Sequence, residues 1–435
     1  MTPHNRRDFL RVGTAGLMGL SLADALRCDA TAAESRSGTA AARSVILVWL
    51  SGGPATIDMW DLKPEAPEVI RGEFQPIATS AKGIEISEHL PRMAKVMDRC
   101  TLLRSVHHGL PAHGPGTQYV TSGNLPSAAI EYPSLGSLAS QLLELRRGTP
   151  PYVAIGRPRG AGSGYLGAAH NPFVVESSGF RGQLRAGNVS LPKGFTLHDL
   201  SERNALRSAF DRRFAAWEQT DDLLGGLGKF QLQALDILRT DRIGKALDVD
   251  KEPESVRKTY GNAPLGRHAL AARRLIEAGA RFVTIGTTGW DTHSGNFAAL
   301  RTRLLPPLDR ALAALIADLD KRGLLKSTVV LCAGEFNRTP NVNRAAGRDH
   351  WARSMAMLLA GGGFRRGFVY GRTDKHGKVP AANPCSPDDV AASVFAALGF
   401  PPNHQVTSTS GRPMELFRKG RVLRGLNEGR MKDEG

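Results

Sequence analysis

Two consecutive helix–strand units constrain the fold of this chain more than any other feature of its sequence. In the first, residues with helical spacing over Leu265–Ala278 are followed by a strand over Arg281–Gly286. In the second, a helix that begins at Pro306 is followed by the apolar strand Thr328–Ala333. Strands joined through helices lie parallel in one sheet, which the helices cover on both faces. The sequence therefore predicts an α/β fold with three layers around a mostly parallel central sheet.

Other segments fit the same architecture. Ser44–Leu50 is continuously apolar and rich in β-branched residues, as expected of a strand that is buried on both faces. Thr101–Val106 predicts a second strand, and Gln118–Thr121 the start of a helix that ends at Gly123. A further helix is expected over Val390–Leu398.

One long segment is less regular. Residues 148–194 are rich in Gly, Pro, Asn and Ser and predict mostly loop, whereas helices are expected around 201–219 and 228–246. We interpret 148–260 as an insertion that covers the functional site. The end of the chain, 421–435, is a basic and polar tail that we expect to be frayed.

Residues 1–32 have the pattern of a twin-arginine export signal. Arg6 and Arg7 precede the moderately apolar segment Val12–Leu26, and a small-residue site follows at Ala30–Ala32. The alternative is an amphipathic N-terminal helix. The apolar segment is too short for a permanent membrane span. We therefore expect the twin-arginine machinery to export the folded chain to the periplasm or the cell exterior.

The formal charge of +16 bears on the partners of the exported protein. Four arginines and three aspartates in the signal account for one of these charges, so fifteen remain after processing. A basic exported protein favours anionic partners, such as a small anionic substrate or an anionic polysaccharide. Nucleic acid is disfavoured, because the basic residues are spread along the chain without an RNA-binding aromatic motif or zinc-finger spacing.

Ionisable residues follow several of the predicted strands. They are Asp58, His113, Asp291, His293, Glu335, Asp349 and His350. Parallel strands bring their carboxyl ends to one edge of a sheet, so these side chains can meet in one crevice. Carboxylates and imidazoles together suit one or two divalent ions, and zinc is the most favoured. For any one residue the alternative is a structural role, such as a salt bridge between Asp349 and a nearby arginine.

Four motifs carry a resemblance to a known family. They are SGGPATIDMWD at 51–61, GWDTH at 289–293, GEFNRTP at 334–340 and GRDHW at 347–351. Together they resemble an exported bacterial family, domain of unknown function 1501, which is abundant in planctomycetes. The resemblance covers about 44–420. It implies a remote branch of the alkaline phosphatase and sulfatase superfamily, with an alkaline-phosphatase-like fold and a bimetal site at the strand ends.

The resemblance also implies metal ligands, residue by residue. These would be Asp58, Asp291, His293, Glu335 and His350. The family pattern for the attacking group is not matched, because the position that corresponds to a hydroxyl or thiol falls near His113. Thr117 is the nearest hydroxyl. Attack by His113, by Thr117 or by a metal-bound hydroxide therefore stays open, with Arg338 or Arg348 expected to hold the ester oxygens.

Two functions remain at this point. The first is an exported metal-dependent hydrolase of phosphate or sulfate esters. The second is a non-catalytic exported protein of the same fold that binds anionic envelope polysaccharide. The density of ionisable groups favours the hydrolase, whereas the missing nucleophile and the basic charge favour the binding protein.

Overall fold

The central strand of the fold is β1, Ser44–Leu50, which lies in the middle of a nine-stranded sheet. The computed structural model describes residues 40–144, 146, 148–156, 160–179, 182–186 and 240–427. The predicted export signal and the predicted helix at 201–219 lie outside the described residues.

The strands are β1 (Ser44–Leu50), β2 (Pro76–Ala78), β3 (Glu85–Ser87), β4 (Cys100–Val106), β5 (Tyr152–Ile155), β6 (Phe173–Ser178), β7 (Gln183–Ala186), β8 (Phe282–Thr287), β9 (Thr328–Ala333), β10 (Asn337–Arg338), β11 (His350–Trp351), β12 (Met355–Ala360), β13 (Phe368–Tyr370), β14 (Arg372–Thr373), β15 (Pro380–Ala382), β16 (Gln405–Thr407) and β17 (Pro413–Glu415). The helices are α1 (Glu68–Arg71), α2 (Pro91–Ala94), α3 (His113–Ser122), α4 (Leu135–Leu142), α5 (Arg242–Leu247), α6 (Glu254–Tyr260), α7 (Pro264–Ala278), α8 (Asn296–Ala299), α9 (Leu305–Lys321) and α10 (Pro387–Ala397).

The sheet has the strand order β13-β4-β12-β9-β1-β8-β5-β6-β7. Strand β1 pairs in parallel with β8 and β9, and β5 pairs in parallel with β8 and β6. Strand β12 runs antiparallel between β9 and β4, so β4 points in the same direction as β1. The carboxyl ends of β1, β4, β8 and β9 therefore lie along one edge of the sheet.

Alternate residues of β1 face two different helical layers. Ile46 and Val48 belong to a core that includes apolar residues of α7 and α9, such as Leu275 and Leu312. Leu47 belongs to a second core, to which α3, α4 and α10 contribute. Every residue of β1 is buried, as its uninterrupted apolar sequence predicted. The three-layer, mostly parallel α/β fold class is thus confirmed.

The largest departure from prediction lies in 148–194. Three strands of this segment, β5, β6 and β7, extend the central sheet, although composition predicted mostly loop. Of the helix expected over 228–246, the described part is α5. The predicted frayed tail is wrong in its first residues, because Leu423 and Leu426 are buried in the core.

Among the described residues, no helix is both long enough and apolar enough to cross a membrane.

Candidate metal centre

The candidate site lies at the edge of the sheet where β1, β4, β8 and β9 end. His113 is the first residue of α3, which follows β4, and Asp291 and His293 follow β8. Glu335 follows β9 and is 1% exposed. His350 lies on β11 and pairs with Arg338 of β10 in a short antiparallel ladder.

Glycine at position 52 allows the loop after β1 to pass close to the loop after β8. Gly52 has φ of +121°, and a Cβ atom there would lie 2.5 Å from the backbone nitrogen of Asp291. The Gly52 amide donates a hydrogen bond to Oε1 of Glu335 at 2.8 Å, and its carbonyl accepts one from Arg338. Gly52 is therefore required for these two loops to approach each other.

Three histidine side chains direct their Nε2 atoms at the carboxylate of Asp291. Nε2 of His293 lies 3.0 Å and Nε2 of His350 lies 3.3 Å from Oδ1 of Asp291. Nε2 of His113 lies 3.3 Å from Oδ2. The Nε2 atoms of His293 and His350 are 3.0 Å apart.

Each of the three rings is held at its other nitrogen by an acceptor. Nδ1 of His350 lies 2.8 Å from the carbonyl oxygen of Pro111, which can only accept, so Nδ1 carries the proton. Nδ1 of His293 lies 2.7 Å from the carboxylate of Asp349. In the neutral tautomers that these contacts favour, the Nε2 atoms present lone pairs to the shared centre.

Glu335 holds the third ring. Nδ1 of His113 lies 2.8 Å from Oε1 of Glu335, which already accepts from the Gly52 amide, so we assign the Nδ1 proton to His113. Oε2 of Glu335 is buried and has no hydrogen-bond partner. Glu335 therefore keeps one buried carboxylate oxygen without a partner beside the three imidazoles.

Asp291 is ionised at neutral pH. Partial burial raises the pKa of its carboxyl group, but the hydrogen bond and the charge of Arg338 outweigh burial and hold the pKa well below its usual range. A positive charge on His113 or His293 would act in the same direction as Arg338. An ionised carboxylate facing imidazole lone pairs is repulsive unless a cation lies between them. Imidazole nitrogens together with a carboxylate suit a divalent metal ion.

The spacing of the donor atoms fits a zinc-sized ion. Ligand bonds of about 2.0–2.1 Å in a tetrahedron place neighbouring ligand atoms about 3.3 Å apart. Nε2 of His293 and Nε2 of His350 lie 3.0 and 3.3 Å from Oδ1 of Asp291 and 3.0 Å from each other, whereas Nε2 of His113 lies 3.3 Å from the other oxygen, Oδ2. The side chains whose ligand atoms all lie within 4.8 Å of one another are His113, Asp291 and His350, and His293 is outside this set. The side chain of Asp291 is 45% exposed, so the centre is open to solvent.

The sequence profile of one family, described as a protein of unknown function (DUF1501), matches residues 42–426. The chain belongs to this family. No curated protein matches it in sequence.

Several solved structures resemble this DUF1501 chain at low identity. Ps i-CgsB, solved in complex with a neocarrahexaose, has a TM-score of 0.39 and 10% identity over 82% of this chain and 72% of its own. The PsFucS1 sulfatase from Pseudoalteromonas sp. has a TM-score of 0.36 and 13% identity over 85% and 70%. A mutant of the TAB5 alkaline phosphatase has a TM-score of 0.35 and 10% identity over 83% and 99%. Likeness at these values does not assign an activity to the DUF1501 chain.

The structure does not bring Asp58 into the cluster of this DUF1501 protein. Asp58 is 1% exposed, and Arg348 donates to its two oxygens at 2.8 and 2.7 Å. Asn296 donates to the same carboxylate at 2.8 Å. Burial raises the pKa of Asp58, although Arg348 acts in the opposite direction. Both oxygens thus serve an internal ion pair, and the carboxylate is buried.

The two arginines expected at the ester oxygens are fully buried and bond to the protein. Arg348 donates to Asp58 and to the backbone carbonyls of Ile70, Thr339 and Pro340. Arg338 donates to the carbonyl of Gly53 at 2.7 Å, to that of Gly52 and to Asp291. This arrangement contradicts the predicted contact with substrate, because an arginine with these partners at 0% exposure offers no free face. Arg338 instead fixes the position of Asp291.

Neither predicted attacking group is confirmed. Thr117 lies one helical turn after His113 in α3 and is 4% exposed. The three described cysteines are all free and buried. Burial raises the pKa of the Cys332 and Cys385 thiols to about 12, and these thiols are not nucleophiles at neutral pH.

Sequence reasoning missed the groups that orient the ligands. The Pro111 carbonyl that accepts from His350 has no signal in the sequence, because any residue supplies a carbonyl. Asn343 donates to the carbonyl of His293 at 2.9 Å. His108 bonds to the carbonyl of Glu335 at 2.8 Å, and burial lowers its pKa to about 4, so it stays neutral and structural.

Proposed function

We propose that this protein is an exported metal-dependent hydrolase of phosphate or sulfate esters. The observation that carries the proposal is the convergence of three Nε2 atoms, each with its Nδ1 hydrogen-bonded elsewhere, on the ionised carboxylate of Asp291. Export through the twin-arginine route to the periplasm or cell exterior is part of the proposal and rests on the sequence of residues 1–32.

The ligands of the metal, zinc in the first instance, would be His113, Asp291, His293 and His350. A divalent ion there would polarise the ester oxygen and lower the pKa of an attacking water. This set differs from the predicted one, because His113 replaces Asp58 and Glu335 moves to an outer position.

The remaining groups keep the ligands in place. Glu335 orients His113, and Asp349 orients His293, by accepting the Nδ1 proton of each ring. Outer acceptors of this kind fix the tautomer and raise the basicity of a histidine ligand. Arg338 holds Asp291 and balances its charge. With both arginines committed, the ester oxygens would be stabilised by the metal itself, and the attacking group would be water.

The first test is the metal content of the purified exported protein, measured by plasma mass spectrometry. We expect about one equivalent of a divalent metal, which His350→Ala loses and the control His376→Ala keeps. His376 lies on the β14–β15 turn, outside the cluster. Less than half an equivalent of bound divalent metal in the wild-type protein, after zinc loading and desalting, would contradict the proposal.

The second test is activity on aryl phosphate and aryl sulfate esters. We expect hydrolysis that a chelator abolishes and zinc restores. Thr117→Val is expected to retain activity if water attacks, and loss of activity in this variant with unchanged metal content would instead assign the attack to Thr117.

One observation favours the second candidate, a non-catalytic protein that binds anionic polysaccharide. The guanidinium groups nearest the centre, Arg338 and Arg348, are both buried and bonded to protein atoms, so neither is free to stabilise a transferred group. Retained metal with no hydrolysis of either ester class, together with salt-sensitive retention on a sulfated polysaccharide column, would support this candidate over the hydrolase.

A further inference from the structure

The hairpin that β14 and β15 form, residues 372–382, exposes basic side chains and turns its carboxylate inward. Its exposed basic residues are Arg372, Lys375 and Lys378. The acidic residue of the hairpin, Asp374, is half-buried, and its Oδ1 accepts hydrogen bonds from the amides of His376 and Lys378 at 3.0 and 2.8 Å. The exposed charge of this hairpin is therefore positive.

The hairpin is bonded to the segment that carries His350. The indole N–H of Trp351, the next residue of β11, donates to the carbonyl of Lys378 at 2.8 Å. The hydroxyl of Ser354 donates to the carbonyl of Gly377 at 2.6 Å. Successive side chains of a strand point to opposite faces, so Trp351 and the hairpin lie on the other side of β11 from the imidazole of His350. The hairpin is thus beside the candidate metal centre and outside its ligand set.

Arg353 adds a further exposed cation at this place. Its guanidinium carbon lies 6.0 Å from the centroid of the Trp351 ring, in a cation–π contact. The N–H donors of a guanidinium group suit bidentate contact with carboxylates and tetrahedral oxyanions. A side chain that is already held loses less conformational entropy when a ligand binds. We call the residues Arg353, Arg372, Lys375 and Lys378 the basic arm.

A buried acid fixes the base of the hairpin to the body of the protein. Asp61, the last residue of the SGGPATIDMWD motif, is 7% exposed and accepts hydrogen bonds from Lys63 at 2.9 Å and from the hydroxyl of Thr373. Nε of Arg104 lies 3.6 Å from the same carboxylate. Asp61 and Asp374 are thus committed inside the protein, whereas the cations of the basic arm are exposed.

The chemistry of the basic arm favours one kind of partner. Cations that are spread over a hairpin and a neighbouring strand end fit a chain with repeated anionic groups better than a single small anion. Binding to a membrane surface would require exposed apolar side chains beside the cations. The exposed large apolar residues in the described part of the chain are Val69 and Leu125, and neither belongs to the basic arm.

We propose that the basic arm binds an anionic polysaccharide chain beside the candidate metal centre. The inference rests on the proposed function in one respect, because it makes this polysaccharide the carrier of the ester and so names the substrate as a polymer. Binding itself requires neither the metal nor hydrolysis, since the arm lies outside the ligand set.

The test measures binding of the purified exported protein to immobilised dextran sulfate by biolayer interferometry. Neutral dextran is the control polymer, because it has the same sugar backbone without the charge, and a chelator removes any dependence on metal. The combined variant Arg353→Gln, Lys375→Gln and Lys378→Gln is expected to bind dextran sulfate about tenfold more weakly than the wild type. This factor corresponds to about 1.4 kcal/mol, distributed over three exposed charge contacts.

A second combined variant controls for the loss of net charge. Lys245→Gln, Lys321→Gln and Lys326→Gln remove the same number of charges from exposed side chains on α5, at the end of α9 and just before β9. We expect this variant to bind dextran sulfate as the wild type does, because the basic arm is intact.

The outcomes separate this inference from the proposed function. Equal weakening in the two combined variants, unchanged binding in the arm variant, or wild-type binding of dextran sulfate no tighter than that of dextran would overturn the assignment. Binding of the wild type to phosphatidylglycerol vesicles but not to dextran sulfate, lost in the arm variant, would assign the arm to a membrane surface instead. Weakening in the arm variant alone supports the assignment even if the protein holds no metal, in which case the hydrolase proposal fails alone.

Discussion

Removing Asp58 tests whether this residue is an internal counter-ion or a metal ligand. Asp58 and Arg348 are 1% and 0% exposed, and they share two hydrogen bonds of 2.8 and 2.7 Å. Substitution of Asp58 by alanine leaves the guanidinium group buried without a carboxylate. The other acceptors of Arg348 are neutral backbone carbonyls, such as that of Ile70.

The expected loss is large. Breaking a buried ion pair by removing one partner costs about 3–5 kcal/mol of stability, because the charge that remains is not compensated. Asn296 also loses an acceptor for its buried amide, which acts in the same direction. We therefore expect Asp58→Ala to lower the free energy of unfolding by at least about 3 kcal/mol.

The assay is urea unfolding followed by circular dichroism, with and without a chelator. Glu73→Ala is the matched control, because Glu73 and Arg301 form an ion pair of 2.6 Å with both side chains about half exposed. Exposed pairs contribute about 0–1 kcal/mol, so this control should unfold almost as the wild type does.

A ligand role for Asp58 predicts a different result. In that case the loss in Asp58→Ala would appear only in the metal-loaded protein, and Arg348→Ala would leave the stability of the metal-free protein unchanged. An Asp58→Ala loss below about 1 kcal/mol in the metal-free protein would refute the reasoning from the buried ion pair.

Three further predictions follow from single contacts. Asp349→Asn should weaken zinc binding about 10- to 100-fold, measured by calorimetry, because Asp349 orients the ring of His293. An unchanged zinc affinity would show that Asp349 does not support the binding of zinc. Burial lowers the pKa of His268 to about 4 in the folded state, whereas the pKa of this imidazole in the unfolded chain is about 6.5. The folded protein therefore binds a proton at His268 less readily than the unfolded chain does. The contribution of neutral His268 to stability is therefore present above pH 6.5 and is lost as the pH falls towards 4. His268→Gln should reduce the pH dependence of the free energy of unfolding in urea between about pH 6.5 and 4. An unchanged pH dependence would contradict this prediction. Tyr119→Phe should destabilise the protein by about 1–3 kcal/mol in the same assay, because it leaves the buried carboxylate of Asp388 without its hydroxyl donor; a neutral effect would show that this bond does not anchor α3.

The fold was predictable where burial on both faces leaves an uninterrupted apolar strand. Strands β1 and β9 have the predicted bounds for this reason. Strand β12, with the sequence MAMLLA, was missed because methionine, alanine and leucine favour helices when the chain is isolated. Its place between β4 and β9 depends on partners that are distant in sequence. Helix α3 begins at His113, earlier than expected, because Pro115 lies in the first turn, where its missing amide costs nothing.

Asp58 and Asp291 each follow a parallel strand, but the structure places these two aspartates in different surroundings. Asp58 and Asp291 were equivalent in the sequence, since each is an acid in a loop after an apolar strand. Arg348 takes both oxygens of Asp58 in the interior, whereas Arg338 bonds to one oxygen of Asp291 and leaves that carboxylate 45% exposed beside three imidazoles. The two arginines are ten positions apart in one loop, and only the folded path of that loop decides which acid each reaches. The arginines of this loop therefore neutralise acids that the fold brings together, and of these two acids Asp291 is the one that remains open to solvent.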